Sequence, residues 1–251
     1  MKKEIRIDEL RALMLDALAL RGIGSEDAAF IVDDFLDAEL EGHKTHGVSK
    51  FLTIDIGLSG REGSIEIVSR IGGHAKIDGH RELGHIAARQ AAALSVELAK
   101  EHGVGLVALT NVSRYARLVP YSRLIAERGC IGIVTNNGGP AHVVPFGGSM
   151  PVFGTNPLSF GFPQGEKPPL LFDFATAQGV WGELRQAIVE ERPLPERTFL
   201  DAAGAFTTDP QRVQGVLPFG GARGAVLCMA LEILTGAFVG AKMGGEIRDE
   251  Y

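Results

Sequence analysis

The sequence has few of the features by which enzymes are usually recognised. It contains no GxGxxG after a predicted strand, no GxxxxGK[S/T], no GxSxG and no HExxH. The common signatures of dinucleotide, nucleoside triphosphate, acyl-transfer and zinc-protease sites are therefore all absent. Its two cysteines, Cys130 and Cys228, lie far apart in apolar surroundings. This excludes a cysteine-rich metal centre and predicts two buried free thiols. We expect no metal site, and the chemistry must come from less common loops.

Basic clusters and long apolar runs are also lacking. The chain of 251 residues has 25 Lys and Arg against 31 Asp and Glu, a formal net charge of −6, and no basic run that would release counterions from a nucleic acid. The apolar stretch over residues 224 to 239 is interrupted by Glu232 and glycines and falls short of the roughly 18 residues of a membrane span. Residues 1 to 6 lack the apolar core of a signal peptide. We expect a cytoplasmic protein that binds neither nucleic acid nor membrane.

Helical and strand patterns alternate along the chain, and 45% of its residues are hydrophobic, enough for a substantial core. The predicted elements are helices over residues 7 to 21 and 25 to 40, a polar turn over 42 to 47, strands over 65 to 78 closed by a turn at Asp78-Gly79, a helix over 83 to 102, a strand over 106 to 109, a helix over 119 to 128, a strand over 131 to 135, loops over 136 to 163, a strand over 171 to 177 and a helix over 225 to 239. This order predicts an α/β fold with an N-terminal helical module, residues 1–60, and an α/β domain that binds cofactor and substrate, residues 61–251.

The polar turn after the second helix is the first candidate site. Thr45-His46-Gly47-Val48-Ser49-Lys50 places an imidazole, two hydroxyls and an ammonium within six residues. A ketone that is reduced by hydride needs a proton on its oxygen, and the near-neutral pKa of histidine suits it to give or take that proton. A nearby cation would hold a substrate carboxylate. A surface helix terminus capped by histidine is the alternative, and these residues alone leave both open.

Glycine-rich segments and one acidic strand residue form the other candidates. Residues 136 to 140 and 145 to 158 would expose backbone N–H groups to an anion or lie flat under a ring, although ordinary turns have the same composition. Residues 217 to 224 open the last predicted helix, so their amides and Arg223 form a plausible anion site; a loop that feeds a core helix is the alternative. Asp173 in its apolar strand either caps a turn or orients a catalytic histidine.

Together and in this order, these segments resemble the malate/L-lactate dehydrogenase family, which also includes L-sulfolactate, ureidoglycolate and 2,3-diketogulonate dehydrogenases and piperidine- or pyrroline-2-carboxylate reductases. The similarity covers nearly all of the chain. The resemblance implies a non-Rossmann, L-sulfolactate-dehydrogenase-like α/β fold with a mixed sheet, usually a homodimer, that binds NADH or NADPH beside a small acid substrate. The segments that carry it are Thr45 to Val48, Asp78-Gly79, residues 117 to 121, 145 to 148 and 154 to 157, Asp173, and residues 207 to 210 and 218 to 224.

The resemblance also implies roles for individual residues. His46 occupies the position of the proton donor or acceptor, with Thr45 where a serine is common, and Asp173 joins it as a catalytic residue. Lys50 stands where an arginine clamps the substrate carboxylate, which keeps the charge but loses the two-pronged fork. The predicted substrate-binding residues are Lys50, Arg114, Arg117 and Thr155, and the predicted cofactor-binding residues are Thr45, Pro145, Gly147, Gly148, Asn156, Phe172, Phe174, Ala175, Thr176, Arg223 and Gly224.

Two departures from the family pattern affect the functional hypothesis. Where the family has a second active-site histidine and then a glycine, this sequence has Arg114 and Ala116, and arginine cannot act as an acid or base near neutrality. Family chains also continue beyond the position of Tyr251, so we expect the C-terminal part of the fold to be absent. The leading hypothesis is hydride transfer on a 2-oxo or 2-hydroxy acid. The alternatives are a cyclic imine-2-carboxylate reductase and a binding paralogue without turnover.

Overall fold

The computed structural model describes residues 4–247 and has the mixed helices and strands of the expected α/β class. Residues 1 to 3 and 248 to 251, at the outer ends of the two predicted domains, lie outside the described residues. The helices are α1 (Ile7–Ala19), α2 (Ser25–Leu40), α3 (Val48–Phe51), α4 (Ile54–Leu58), α5 (Gly84–His102), α6 (Val119–Glu127), α7 (Trp181–Val189) and α8 (Ala222–Thr235). The strands are β1 (Glu66–Ile71), β2 (His74–Glu82), β3 (Leu106–Val112), β4 (Gly132–Thr135), β5 (Leu158–Gln164), β6 (Lys167–Phe174), β7 (Phe199–Asp201), β8 (Phe206–Thr207) and β9 (Val213–Val216).

Within residues 4–247 the strands form three small sheets. The first has the order β1-β2-β3 and is mixed, because β1 is antiparallel and β3 parallel to β2. The parallel pair requires a long crossover, which α5 supplies. The other two sheets, β4-β5-β6 and β8-β7-β9, are antiparallel. Helix α6 covers one face of the second sheet, where the hydroxyls of Ser122 and Ser159 lie 2.8 Å apart.

The N-terminal helices share their core with the first α/β unit. Leu18 of α1 and Ile31 and Phe35 of α2 are buried together with Leu83 and Ile86, which begin α5. The predicted boundary at residue 60 falls between α4 and β1. The helical module is therefore held against α5 by a common apolar cluster, and this contact fixes the position of the turn that leaves α2.

Asp78-Gly79 is not the turn we expected. The hairpin turns at Gly72-Gly73, and β2 continues through Asp78 to Glu82. The pairing of β2 with β3 shifts register between Asp78 and Glu82, and the Asp78 carboxylate accepts hydrogen bonds from the His80 backbone N–H and the Asn111 side chain, each 2.8 Å long. The Asp-Gly pair thus belongs to a bulge whose polar groups the aspartate satisfies.

Three other sequence expectations need correction. Strand β5 begins at Leu158, inside the segment predicted to be loop, and Cys130 is only partly buried, whereas Cys228 is buried as expected. Residues Ala222–Val239 contain an 18-residue stretch with a mean hydropathy of 1.6, so by length and composition this segment is apolar enough to cross a membrane. A buried core helix meets the same criterion, so this is weak evidence for a span.

Candidate active site

The turn that carries His46 is fixed from both sides. It is a 3-10 turn, Lys44–His46, between α2 and α3. Gly47 packs directly on Glu39, where a Cβ atom would overlap the Glu39 side chain, and the Glu39 carboxylate accepts a hydrogen bond of 3.0 Å from the Val48 N–H. The Thr45 hydroxyl oxygen lies 3.0 Å from His46 Nδ1. Glycine is thus required for the close approach, and the threonine orients the imidazole.

The surroundings of His46 keep its imidazole neutral. Partial burial lowers its pKa to about 4, and the positive charges of Lys50 and Arg117 act in the same direction. Lys50 lies one helical turn further on, in α3, and its side chain is half-buried. At neutral pH His46 is therefore an unprotonated base beside two cations, and an anion bound between them would raise its pKa again.

Asp173 belongs to the same neighbourhood. It pairs with Ser159 across β5 and β6, so its side chain is on the α6 face of the sheet, like the Ser159 hydroxyl. The side chain keeps access to solvent, yet desolvation by the surrounding protein raises its pKa to about 6, against the smaller opposing effects of Arg117 and His43. The charges of Arg117 and His43 thus lower the pKa of both Asp173 and His46, so the protonation of the two predicted catalytic residues depends on the same two groups.

Arg117, which we expected to bind substrate, is committed to other partners. Its guanidinium is buried and donates to Asp34 Oδ1 at 2.7 Å, to the Asp34 carbonyl oxygen at 3.1 Å and to Glu41 Oε2 at 2.5 Å. Burial opposes its charge, but these acids outweigh that effect and raise its pKa. Three of its five N–H donors are thus used by α2 and the start of the turn, which argues against a two-pronged substrate clamp; substrate binding by Arg117 stays a prediction.

Arg114 and Thr155 occupy segments that border the site. Arg114 is half-buried in the segment between β3 and α6, and its backbone carbonyl lies close to Gly57 and Gly84. The Thr155 carbonyl accepts hydrogen bonds of 2.9 Å from both the N–H and the hydroxyl of Thr176. Arg114 thus remains a candidate for the substrate carboxylate, whereas Thr155 has a defined structural role that ties two loops together.

A turn and a helix terminus lie next to each other in the predicted cofactor region. In the turn of residues 145 to 148, the Gly148 N–H donates to the Pro145 carbonyl at 2.9 Å and Gly147 has a φ of +81°. The ring of Phe146 lies beside Gly221. Gly221 precedes the first turn of α8, which no side chain caps, and Arg223 is exposed there. These open amides and the adjacent cation fit the diphosphate of a dinucleotide.

Three residues that we predicted to bind cofactor have a clear structural role in holding the loops together, and cofactor binding by them stays a prediction. The fully buried amide of Asn156 donates to Glu232 Oε2 at 2.7 Å and to the Cys228 carbonyl at 3.0 Å. The fully buried hydroxyl of Thr176 bonds the Thr155 carbonyl. A Cβ atom at Gly224 would overlap the Phe219 carbonyl oxygen. Packing and hydrogen bonding therefore account for the residue types at these three positions.

Phe172 and Phe174 do not share a face with Asp173. Side chains alternate along a strand, and the two phenylalanines pair with Phe160 and Leu158, on the side of the sheet away from α6. The ring of Phe174 contacts that of Phe219 edge to face at 5.9 Å. The side chains of the expected nicotinamide strand therefore lie on two faces of the sheet. Asp173 is on the face covered by α6, and Phe174 is on the other face, where it contacts the glycine loop before α8. Ala175 is partly exposed where β6 ends.

Sequence reasoning missed the packing partner of the catalytic turn. Gly182 at the start of α7 packs against Thr45, where a Cβ atom would lie 2.8 Å from the threonine Cβ. Trp181 beside it stacks on His142 with ring centroids 3.9 Å apart. Trp181 is the only tryptophan in the chain, and its place in a glycine-flanked segment was the available signal. It provides a fluorescent reporter next to the candidate site.

A second histidine, His85, lies buried behind the site and was also missed, because its helix has the pattern of an ordinary core helix. Neither of its ring nitrogens has a hydrogen-bond partner among the described residues, and Nε2 lies 3.9 Å from Asp34 Oδ2. Burial lowers its pKa to about 3, with a further contribution from Lys50. His85 is therefore neutral in the folded protein wherever the protein is studied near neutrality.

We expect His85→Leu to stabilise the protein more at acid pH than at alkaline pH. Between pH 6.5 and 3 the unfolded chain binds a proton at residue 85 that the folded chain does not bind, so this histidine costs stability as the pH falls below 6.5. The difference in unfolding free energy between variant and parent should grow by about 2 kcal/mol from pH 8 to pH 5. Denaturant unfolding measures it, with exposed His102→Leu as control. An equal difference at both pH values would contradict the prediction.

The sequence of this chain is similar to those of known hydroxy-acid dehydrogenases and imine-carboxylate reductases. The family model described as malate/L-lactate dehydrogenase matches residues 5–251. The L-sulfolactate dehydrogenase of Methanocaldococcus jannaschii is 35% identical over 249 residues, which is 96% of this chain and 72% of that protein. Delta(1)-pyrroline-2-carboxylate reductase 2 of Burkholderia multivorans is 31% identical over 255 residues, 98% of this chain and 74% of that protein.

Solved structures give the same result for the fold. The sulfolactate dehydrogenase structure from Methanocaldococcus jannaschii superposes with a TM-score of 0.86 at 34% identity, over 97% of this chain and 72% of that one. The delta1-piperideine-2-carboxylate reductase from Pseudomonas syringae pv. tomato superposes with a TM-score of 0.88 at 26% identity, over 98% of this chain and 76% of that one.

Among residues 4–247, no three His, Cys, Asp or Glu side chains are grouped so that they would hold a metal ion.

Proposed function

Because the chain belongs to the malate/L-lactate dehydrogenase family, we propose that it is an oxidoreductase that transfers a hydride between NADH or NADPH and a small 2-oxo or 2-hydroxy acid. The observation that carries this proposal is the partly buried imidazole of His46, held at 3.0 Å by the Thr45 hydroxyl and followed by the ammonium of Lys50 in α3; burial and that cation keep the imidazole neutral by lowering its pKa. A base and a cation in this arrangement serve the hydroxyl and the carboxylate of a 2-hydroxy acid at the same time.

His46 would work in both directions of this reaction. In oxidation of the hydroxy acid, the unprotonated imidazole takes the hydroxyl proton while the hydride leaves the carbon. In reduction, the imidazole must first be protonated, and the bound carboxylate assists by offsetting the charges of Lys50 and Arg117 that lower its pKa. Asp173, whose own pKa is raised to about 6, is close enough to Arg117 to join the same charge balance.

The cofactor would supply or accept the hydride, and the residues around the α8 terminus would hold it. The turn of Gly147 and Gly148, the uncapped start of α8 after Gly221 and the exposed cation of Arg223 lie beside each other, which suits two linked phosphates. The charges of these loop residues do not distinguish NAD from NADP, so the proposal includes both.

Reduction of a cyclic imine-2-carboxylate is the second candidate function. Two similarities favour it: the Burkholderia pyrroline-2-carboxylate reductase is 31% identical, and the Pseudomonas piperideine-2-carboxylate reductase has a TM-score of 0.88. A C=N bond next to a carboxylate makes similar demands on the site as a C=O bond does, except that a protonated imine already carries its proton. His46 would then matter less for the chemical step than in keto-acid reduction.

A binding paralogue without turnover is the third candidate, and it comes from a different class of protein. It is motivated by Arg114 in place of a family histidine and Ala116 in place of a glycine. Such a protein would keep the cofactor site and lose proton transfer at the second position. This candidate function predicts tight binding of NADH or NADPH without oxidation of either cofactor.

One assay separates the three candidates. Oxidation of NADH and of NADPH is followed against a panel of 2-oxo acids and cyclic imine carboxylates, and quenching of the single tryptophan, Trp181, is followed as each cofactor is titrated. Turnover of keto acids supports the main proposal, and turnover restricted to imines supports the second. Quenching without turnover on any member would leave the paralogue, and neither quenching nor turnover would reject all three.

We propose further that the protein is a cytoplasmic homodimer. The β4-β5-β6 sheet exposes apolar side chains on the face away from α6, among them Ile133, Leu170 and Phe172, which are 63%, 44% and 49% exposed. An apolar patch of this kind is uncommon on monomers and supports a second copy of the chain as the partner. A nucleic acid is disfavoured as a partner by the net charge of −6. Light scattering at micromolar concentration is the test, and a stable monomer would reject the dimer.

A further inference from the structure

The C-terminal half of α2 holds two arginines that come from the segment before α6 and from α6 itself. Arg117 is bound by Asp34 and Glu41, as described above. Arg123, less than two turns further along, donates to Asp37 Oδ2 at 2.6 Å and lies 3.6 Å from Glu41. The two contacts join the same pair of elements, but only Arg117 is close enough to His46 to change its proton affinity.

We propose that Arg117 is a positioning residue for His46: held by Asp34 and Glu41, it keeps a fixed, buried positive charge near the imidazole and anchors the helix that leads into the His46 turn. The proposal extends the proposed function by giving the predicted substrate ligand a different role. Three observations carry it: the guanidinium is buried, three of its N–H groups are bound by Asp34 and Glu41, and α2 leads into the turn of His46.

The geometry makes this arrangement rigid. Arg117 makes hydrogen bonds to both the side chain and the backbone of Asp34, 83 residues away in sequence, so it ties the body of α2 to the start of α6. Charge-assisted bonds of this kind are short and directional. Glu41 is the last residue before the turn, as the C-cap of α2. A displacement of Arg117 would therefore move the helix end from which the His46 turn begins.

Asp34 and Arg117 affect each other unequally. Burial raises the pKa of Asp34 to about 6, against the hydrogen bond and charge of Arg117, whereas Arg117 has a raised pKa because two acids surround it. The ionised pair is the state that the 2.7 Å contact supports at neutral pH. Burial thus destabilises the ionised form of Asp34. Because a buried ion pair adds little net stability, this arrangement is expected if the pair serves to place the charge of Arg117.

His46 faces charged groups from several elements, and the test must account for each. Those that act on its imidazole directly are Lys50, Arg117 and His43. The acids near these cations or near the turn are Asp34, Glu39 and Glu41 on α2, Asp173 on β6, and Glu183 in the first turn of α7. Only Asp34 and Glu41 contact Arg117 directly among these acids.

The decisive experiment removes the two halves of the same ion pair separately and follows the imidazole of His46 by NMR, with its signal assigned among the seven histidines by comparison with His46→Gln. Arg117→Met removes a cation, so the pKa of His46 should rise by roughly half a unit or more. Asp34→Asn keeps the arginine and removes its counter-charge, so the pKa should stay or fall. Arg123→Met breaks the neighbouring contact and should leave the pKa unchanged.

These outcomes separate positioning from mere packing. Loosening of the structure would admit water and raise the pKa of His46 in both Arg117→Met and Asp34→Asn, and a rise in both would overturn the proposal, as would no change in Arg117→Met. If Arg117→Met does not fold, Glu41→Gln provides the test: it keeps the guanidinium and removes one of its counter-charges, so the pKa of His46 should stay or fall, and a rise would overturn the proposal. Because NMR needs no turnover, this arm stands even if the proposed function fails.

A kinetic arm links the inference to the proposed function. In the active protein, Arg117→Met should lower kcat while KM for the 2-oxo acid stays within a factor of about two, since the residue does not touch the substrate. Arg117→Lys should restore part of kcat because the charge is kept. A rise in KM with unchanged kcat would mean that Arg117 binds substrate after all, and the positioning role would be rejected.

Discussion

Replacement of His46 by alanine should lower the rate of hydride transfer by about 10² to 10⁴-fold, the usual contribution of a positioned acid or base. His46 is the imidazole that the structure orients through Thr45 and surrounds with Lys50 and Arg117. Cofactor affinity should stay nearly unchanged, because the predicted diphosphate site lies at the start of α8. Stopped-flow measurement of NADH oxidation, with Trp181 quenching for cofactor affinity, measures both quantities.

The exposed His102→Ala is the control for this variant, since it removes an imidazole at the end of α5. The rate of His102→Ala should equal that of the parent. Unchanged turnover in His46→Ala would remove His46 from the mechanism. A loss confined to keto acids, with imine reduction preserved, would instead support the imine reductase, whose substrate brings its own proton.

The parent should show a characteristic pH dependence as well. The pKa of His46 is lowered to about 4 in the absence of substrate, so protonation of His46 should not lower kcat/KM for oxidation of the hydroxy acid between pH 8 and pH 5. A fall near pH 6 would report Asp173, whose pKa is raised to about 6. For reduction the protonated imidazole is needed, so the rate should fall as the pH rises. A rate for reduction that rises with pH would contradict the role of His46 as proton donor.

The local pattern of the chain was enough to predict the His46 turn and most helices. Helix α2 and the turn after it follow from the spacing of apolar residues over residues 25 to 40 and from the polar residues that end it. The bulge at Asp78 was predicted to be a turn, because an Asp-Gly pair is compatible with both structures. The choice between them depends on Asn111, which lies on another strand and was not part of the pattern.

The roles of individual side chains were harder to predict, because they depend on contacts between distant segments. Nothing near Arg117 in the sequence shows that its fork is filled by Asp34, and nothing near Asn156 shows that its amide is bound by Glu232. The split of Phe172 from Asp173 was, by contrast, available from the alternation of side chains along a strand. The prediction of one site along the whole strand neglected this alternation.

Arg114→Leu should raise KM for the acid substrate by about 10- to 100-fold and change kcat much less, because a hydrogen-bonded charge contributes about 1.5 to 3 kcal/mol to binding. Arg114 lies in the segment that joins the end of β3 to α6, and the ends of strands are where α/β folds bind ligands. As an arginine it cannot move protons, but it can grip a carboxylate with two parallel hydrogen bonds.

The same reasoning predicts which substrates suffer most from the change. With Lys50 beside His46 and Arg114 as a second cation, the site suits an acid with two anionic groups, so Arg114→Leu should weaken binding of a 2-oxo dicarboxylate more than that of a 2-oxo monocarboxylate. Arg114→Lys keeps the charge without the fork and should fall between parent and leucine variant. The exposed Arg128→Leu removes an arginine at the end of α6 and should leave both substrates unaffected.

Arg114→His completes the series, because it restores the histidine that the family has at this position and adds a second group able to exchange protons. It should lower discrimination between dianionic and monoanionic acids, since the fixed charge is lost, while kcat is kept or raised. Steady-state kinetics on both substrate classes measures the whole series. If the leucine, lysine and histidine variants all match the parent in KM and kcat, Arg114 contacts neither substrate nor cofactor, and the preference for dianionic acids must be sought at Lys50.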